Sequence, residues 1–412
     1  MEVVYPRCCG LDLHKRIVVA CRIVPGLRGQ PQKEIRTFST MTADLLALAD
    51  WLQAVGCTHV AMESTGVFWK PVYNLLEGQF TLLLVNAQHI KAVPGRKTDV
   101  KDCEWLADLL RHGLLKPSFV PDRAQRELRE LTRYRTTLVG ERSAEINRLQ
   151  KTLEGANIKL AAVASSIVGK SAREMLDALV AGASDPAALA QLARGRLREK
   201  LPQLEQALQG QFAAHQRFLV AQQLAHLDYL DEAIERLSTE IAERLHPFEV
   251  TQTQLQTIPG VGRRAAEIIV AEMGTDISRF PSAGHLAAWA GMAPGNNESA
   301  GKRRSGKTRK GNPHLRTLLV ETGQAAGRTK DTYLAAQYRR LAARRGQRRA
   351  AVAVGHTILG IIYYLLKRGT TYQELGGDYF DERDRQGVER RLVRRLEALG
   401  NKVTLEPADP AA

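Results

Sequence analysis

Every segment that reads as a β-strand lies in the first 85 residues, and from Asp122 to about Leu245 the chain carries no strand signal at all. One sheet near the N-terminus followed by helices is what this permits, because alternation at period two and patterning at period 3.6 cannot stand in for each other. At 412 residues the chain is too long for one ordinary core, which sets the expectation at two or three domains. The β-branched, apolar runs 8–13 and 17–24 flank a polar turn from Asp12 to Arg16 and predict a hairpin. Residues 34–39 add a third strand, 58–62 a short strand ending at Glu63, and 81–85 a buried one, while helical spacing marks 43–55, 69–76 and 100–110.

Beyond that region, Leu128, Leu131, Leu138, Ile146, Leu149 and Leu153 line one face of a long amphipathic helix. Leu227, Leu230, Ile234, Leu237, Ile241 and Leu245 repeat at three and four, the spacing of a coiled coil. The Ala-, Gln- and Leu-rich stretch between them reads as a helical insert. Two long helices around an insert predict an antiparallel hairpin that serves dimerisation or spacing, with a plain helical bundle as an equal alternative. The expected organisation is an α/β domain over 1–120, an all-α coiled-coil region over 121–250 with the insert at about 156–215, a mainly α C-terminal domain over 251–370, and a charged helical tail over 371–412. In the third of these, Ile258-Pro259-Gly260-Val261-Gly262 predicts a helix-hairpin-helix-like turn. Gly260 and Gly262 permit the tight turn, and the next helix opens with free N–H groups suited to a phosphate; a plain connection between two helices is the alternative. A helix over 282–290 and a loop over 291–312 follow. Asn312-Pro313 then opens a further helix as cap and first turn, with Gly369 as the eventual stop.

Charge narrows the partner. The formal net charge is +15, yet residues 1–120 hold 14 Lys and Arg against 11 Asp and Glu, whereas residues 301–350 hold 15 against 2. A solvated helix face mixes signs, so this run points to a polyanion, with nucleic acid ahead of an anionic membrane surface. Cys8, Cys9, Cys21, Cys57 and Cys103 form no CxxC pair, which excludes a disulfide framework and a zinc site and fits reduced thiols in a cytoplasmic protein. The opening residues do not read as a signal peptide, and none is expected. The apolar stretch 350–366 contains His356, is short for a bilayer span and reads as a core helix.

Asp12 ends the first strand and Glu63 a later one; Asp99 and Asp102, three apart, share a helix face. Four acids at element ends around one sheet can hold two divalent cations, which would clamp the attacking and leaving oxygens of a phosphodiester. Hard carboxylate ligands favour magnesium. Asp108 lies on a different face from Asp99 and ranks below these four. The order βββαβαβα matches a ribonuclease H-like sheet.

These acids sit in Gly10-Leu11-Asp12-Leu13-His14-Lys15, Met62-Glu63-Ser64-Thr65-Gly66 and Lys97-Thr98-Asp99-Val100-Lys101-Asp102. The three segments resemble the N-terminal domain of the DEDD insertion-sequence transposases, the family that includes the Piv DNA invertase, a domain similar to the Holliday-junction resolvase RuvC. The resemblance continues through Ile258-Pro259-Gly260-Val261-Gly262, Trp289-Ala290-Gly291-Met292-Ala293-Pro294, Asn297-Glu298-Ser299-Ala300-Gly301-Lys302 and Lys310-Gly311-Asn312-Pro313-His314-Leu315-Arg316. It covers most of residues 5–380, excluding the insert. The resemblance implies that Asp12, Glu63, Asp99 and Asp102 are a metal-binding tetrad. It implies that Ser299 is the serine that attacks DNA and becomes bonded to it. It also implies movement of an insertion sequence through a circular form, and a structured RNA from the element that selects donor and target DNA. The active site it implies takes its acids and its serine from different subunits of a homo-oligomer, a dimer or, when active, a tetramer.

Ser299 lies among Lys302, Arg303, Arg304, Lys307, Arg309 and Lys310, with Arg316 beyond; these cations, with Gly260 and Gly262, are the expected nucleic-acid contacts. A serine hydroxyl needs a base or a metal to become a nucleophile; no histidine stands next to it, and His314 is the first beyond the loop. On residue type alone Ser299 reads as a phosphate contact and Ser305 is its equal; the resemblance selects Ser299. Two other readings compete. A RuvC-like structure-specific endonuclease hydrolysing branched DNA needs the four acids without the serine, and a covalent protein–DNA adduct separates it from a recombinase. A non-enzymatic DNA-binding protein leaves the placement of the acids unexplained.

Overall fold

The computed structural model describes residues 2–26, 30–64, 66–86, 102–295, 297–308 and 310–406. The chain divides into two compact units, Met1–Pro121 and Asp122–Ala412. The first is α/β. Its sheet has five strands, β1 (Cys8–Leu13), β2 (Ile17–Pro25), β3 (Pro31–Ser39), β4 (His59–Glu63) and β5 (Thr81–Val85), in the order β3-β2-β1-β4-β5. β1, β2 and β3 form an antiparallel meander, whereas β4 runs parallel to both β1 and β5. β3 starts earlier than its apolar pattern predicts. It is an edge strand with mostly exposed residues, so it shows little alternation, and an edge tolerates Pro31 at its first position.

Strand alternation loads both faces of this sheet. Cys9, Leu11, Leu13, Val60, Met62 and Leu84 pack with Leu45, Leu48 and Leu52 of α1 (Thr42–Gln53) and Val72 and Leu76 of α2 (Trp69–Leu76). Cys8, Cys21, Ala61 and Val85 pack on the other face with Cys103, Leu106, Ala107 and Leu110 of α3 (Asp102–Arg111). All five cysteines are buried and free. Burial pushes Cys8 and Cys21 up to about 12 and Cys57 to about 11, as suits inert core thiols.

In the second unit, α4 (Arg123–Gly155) and α9 (Ala214–Leu245) form an antiparallel hairpin. Arg244 near the end of α9 reaches Glu127 near the start of α4 at 3.0 Å, and Arg142 pairs with Asp231 midway. Leu138 packs on Leu230 and Ile234. The coiled-coil seam is therefore filled within one chain. Between the long helices, α5 (Leu160–Val163), α6 (Lys170–Ala181), α7 (Pro186–Ala190) and α8 (Leu201–Leu208) close around Met175, Leu176 and Leu204 and share a core with Leu149, Leu153, Val220 and Leu224 of the hairpin.

The remainder is built from α10 (Glu249–Gln256), α11 (Arg263–Met273), α12 (Ala283–Trp289), the short strands β6 (Asn297–Ser299) and β7 (Lys302–Ser305), α13 (Pro313–Ala326), α14 (Tyr333–Arg345), α15 (Gln347–Arg368), α16 (Tyr379–Arg383) and α17 (Arg385–Glu397). α15 is the one described helix long and apolar enough to cross a membrane. Its Val354, Ile358, Leu359 and Ile362 are fully buried in the C-terminal core against Leu315, Leu319 and Ile269, so its apolar face belongs to that core.

Candidate active site

Alternation along two neighbouring strands gathers the carboxylates of the first unit. On β1, Gly10 and Asp12 follow Cys8 at period two and share the face covered by α3. On β4, Ala61 belongs to that same core, so Glu63 faces α3 as well. β1 and β4 are parallel with Leu11 opposite Met62, which makes Asp12 and Glu63 neighbours at the carboxyl ends of adjacent strands. α3 begins with Asp102.

Gly10 sets the seat of that helix. A β-carbon there would stand 2.3 Å from the Cys103 carbonyl oxygen and 2.5 Å from the Ala107 nitrogen, so only glycine lets the α3 backbone lie this close to β1. Burial and then the charge of Asp12 push the Cys103 thiol above its ordinary value, which places Asp12 within electrostatic reach of the first turn of α3. An Asp12 oxygen also lies 3.1 Å from His14 Nε2, a neighbour the sequence reading passed over. Asp108 is engaged elsewhere: Lys33 of β3 holds it at 2.7 Å and Glu104 at 3.0 Å. Burial opposes the Lys33 charge, but these two hydrogen bonds outweigh it and raise its pKa.

Asp99 lies outside the described residues, as do its neighbours in 97–101. Among the described residues no three His, Cys, Asp or Glu side chains gather closely enough to hold a metal ion. Asp12, Glu63 and Asp102 are hard oxygen donors of the kind a divalent cation takes, and the strand register and the start of α3 put them on the same side of the sheet.

The serine segment departs from expectation. Residues 291–312 read as a loop, yet they contain the β6–β7 hairpin, with Ser299 paired to Lys302 across a two-residue turn. Ala300 and Gly301 have φ of 52° and 72°, the two positive values that a tight hairpin turn of this length requires. Strands of three and four residues rich in Lys, Arg, Asn and Glu carry no apolar alternation, so periodicity missed them. Ser299 is thus a strand residue beside the turn. The backbones of Arg303 and Arg304 lie in β7, Lys302, Lys307 and Lys310 are exposed, Arg316 is half-buried on α13, and Arg309 lies outside the described residues. Ser305 Oγ accepts a hydrogen bond from the Lys307 amide at 3.1 Å, a local turn contact.

The base of this segment rests on a buried network that the sequence analysis did not single out. The Gly295 amide donates to the Lys307 carbonyl at 3.0 Å, and the Asn312 amide to the Trp289 carbonyl at 3.2 Å. Asn312 caps α13, its Oδ1 accepting from the amides of His314 and Leu315. Its Nδ2 donates to Glu272 Oε2 at 2.6 Å. Glu272 is fully buried on α11 and also accepts from Arg133 Nε and Nη2 at 2.7 and 2.8 Å, while Arg129 Nε stands 3.4 Å away. Burial alone would push the Glu272 carboxyl up; hydrogen bonds from Arg133 and Asn312 overcome it and hold the group below the ordinary range. Burial brings Arg129 down to about 10. Burial and then the charge of Arg133 also hold His314 below its usual value, which keeps its imidazole neutral at pH 7. One signal was available: Glu272, like Glu267, is an acid among the apolar, buried residues of α11.

The predicted turn at Gly260 joins α10 to α11. Gly260 has φ of 89°, and a β-carbon there would stand 2.5 Å from the Thr322 carbonyl oxygen on α13. This glycine is therefore needed for packing, while Gly262 borders open space at the start of α11.

Comparison with known proteins bears on both units. A family profile for DEDD transposases of the IS110 type matches residues 9–158, and a profile described as the transposase IS116/IS110/IS902 family matches residues 252–339. The chain is 28% identical over 371 residues to the transposase for insertion sequence element IS1111A of Coxiella burnetii, covering 88% of this chain and 90% of that one. It is 25% identical over 369 residues to a probable family 20 transposase of Pseudomonas aeruginosa, covering 88% and 94%. An uncharacterized 43.6 kDa protein of insertion element IS110 from Streptomyces coelicolor is 26% identical over 301 residues, covering 68% and 73%. With matching segments in the sheet-bearing unit and in the segment that contains the serine hairpin, the chain belongs to the IS116/IS110/IS902 family of insertion-sequence transposases.

Proposed function

We propose that this transposase cuts and rejoins DNA through a covalent ester between Ser299 and a DNA phosphate. The observation that carries the reading is the meeting of Asp12 and Glu63 on neighbouring strands, on the face covered by the helix that starts at Asp102. The sheet order β3-β2-β1-β4-β5 supports a ribonuclease H-like, RuvC-like assignment for this unit. Asp12, Glu63 and Asp102, with Asp99, would hold divalent magnesium, two ions in a full site. A bound cation supplies charge neutralisation at the phosphate and lowers the pKa of an oxygen it touches.

The chain's own residues account for the rest. The Ser299 hydroxyl loses its proton as its oxygen bonds to phosphorus, one DNA oxygen leaves and takes up a proton, and the phosphodiester energy stays in the new ester. Attack by a DNA hydroxyl reverses the exchange and frees the serine. Water in place of the serine would give a one-way cut, so a fixed hydroxyl suits a rejoining enzyme. Lys302, Arg303, Arg304, Lys307, Arg309, Lys310 and Arg316 would neutralise phosphates around the strand, and Gly262 would offer backbone N–H groups at the start of α11. Ser305 has its oxygen engaged by the Lys307 amide, which favours Ser299 as nucleophile. An element-encoded structured RNA would choose the DNA partners, and a dimer or tetramer would combine acids and serine from different subunits. A structured non-coding stretch beside the gene would support the guide, and its absence would count against it.

The deciding experiment is an adduct assay. Labelled substrate DNA is incubated with wild-type protein and with the Ser299→Ala and Ser305→Ala variants, then denatured. Label should remain on wild type and Ser305→Ala and vanish from Ser299→Ala. Label on Ser299→Ala but not on Ser305→Ala would move the nucleophile. Cleavage of branched DNA with no adduct in any variant would instead make the chain a hydrolytic endonuclease.

A further inference from the structure

α14 and α15 meet at Gly346, and the turn between them carries Arg344, Arg345, Arg348 and Arg349, all exposed. Several arginines of this unit are matched to acids. Arg173 is bidentate with Asp228 at 2.6 and 2.8 Å, Arg135 meets Glu267 at 2.7 Å in the interior, and Arg133 holds Glu272. Among the described residues no carboxylate pairs with any of the four turn arginines. Two of them also sit where the fold disfavours them: Arg348 and Arg349 lie in the first turn of α15, the positive end of its dipole, with no acid in that turn. Unpaired like charges crowded in this way are relieved by an anion brought from outside.

The scaffold and surroundings say which anion. Leu334, Ala335 and Ala336 anchor α14, and Ala350, Ala351 and Val354 anchor α15, so the guanidinium groups extend from helix ends fixed in the core. Between Val250 and Tyr364 no described large hydrophobic residue is exposed. The turn therefore lacks the aromatic platforms on which single-stranded bases stack, and the apolar face by which a basic helix enters a membrane. What remains is recognition of phosphates held at regular spacing by a duplex, without base readout.

We propose that the arginine turn at 344–349 is a sequence-independent contact for the phosphate backbone of duplex DNA, separate from the serine hairpin. This rests on the reading of the chain as a DNA-transposing enzyme. Full-length wild type and a variant combining Arg344→Gln, Arg345→Gln, Arg348→Gln and Arg349→Gln are titrated with duplex DNA of arbitrary sequence at several salt concentrations. With roughly 0.9 lost per phosphate contact, the slope of log affinity against log salt should flatten by about 3 to 4 in the variant. The matching quadruple Arg→Lys variant, which keeps the charges, should retain most of the slope and shows that loss in the Gln variant reflects charge and not unfolding. The Ser299 adduct on wild type is measured in parallel. Wild-type adduct with an unchanged slope in the Gln variant overturns this surface alone; no duplex binding by wild type at any salt overturns the transposase reading with it. Loss confined to a structured RNA or to anionic vesicles, with duplex binding intact, would assign the turn to that partner and overturn the proposal.

Discussion

At the scale of single residues, the first unit turns on what two strand positions can accept. Asp12 and Glu63 are neighbours because β1 and β4 are parallel and in register, and under the proposed function they share a cation. Asp12→Asn should therefore leave the metal-free melting temperature unchanged or slightly higher, while abolishing recombination and the rise in melting temperature that magnesium gives wild type. An unaltered magnesium-dependent rise in the variant would remove Asp12 from the site. Gly10 tests the seat of α3. In Gly10→Ala the new methyl meets the Cys103 carbonyl oxygen and the Ala107 nitrogen, backbone atoms that cannot yield as a flexible side chain would. A cost of about 1–3 kcal/mol is expected, as for other overpacked cores, with loss of activity as Asp102 shifts with its helix. A Gly10→Ala protein that melts and recombines like wild type would show that α3 is free to ride higher. None of this contact was legible in the sequence. Gly10 stood there only as part of a motif, because the helix that excludes its β-carbon begins more than ninety residues later.

At the scale of elements, what sequence revealed depended on whether an element's cause was local. The bounds of β1, α2 and β5 match the apolar runs that predict them, and the Asn312-Pro313 start of α13 has the predicted cap. The β6–β7 hairpin was hidden because its cause is the backbone at Ala300 and Gly301, and the small core of 156–215 because its partners lie on two distant helices. The Glu272 network was hidden for the same reason: its members come from α4, α11 and the cap of α13. It carries a pH prediction whose sign follows from the depressed pKa. The charged carboxylate stabilises the fold above the ordinary Glu value of 4.5, and that contribution is lost as pH falls through the lower folded value. Glu272→Gln removes it at all pH values and leaves Arg129 and Arg133 without their counter-charge. The expected cost is about 3 kcal/mol, at the low end for a broken buried pair because Arg133 is 35% exposed. Denaturant melts at pH 7 and at a pH well below 4.5, such as pH 3, should show the two proteins converging as acid is added. An equal difference at both pH values would assign the loss to packing alone.

At the scale of the whole molecule, the antiparallel hairpin changes where an oligomer can form. The three-and-four spacing on α9 reads as one side of an antiparallel hairpin, and the structure fills that seam from the same chain: Leu227, Leu230, Ile241 and Leu245 are buried. If the active enzyme joins acids and serine from different subunits, the contact must use what the hairpin leaves outside. Phe218 and Tyr229 are 65% and 57% exposed, and eleven residues is close to three full turns, so they stand on one side of α9. Tyr134 on α4 is exposed as well. Large aromatic side chains exposed on long helices mark contact surfaces more often than isolated aliphatics do. Light scattering on the full-length protein, alone and with DNA, should give a dimer or larger species. Combining Phe218→Ser with Tyr229→Ser should reduce it to a monomer of unchanged melting temperature, since neither side chain supports the core. A wild type that is monomeric in both states would make a composite active site untenable. A double variant that still assembles would move the interface to another surface of the chain.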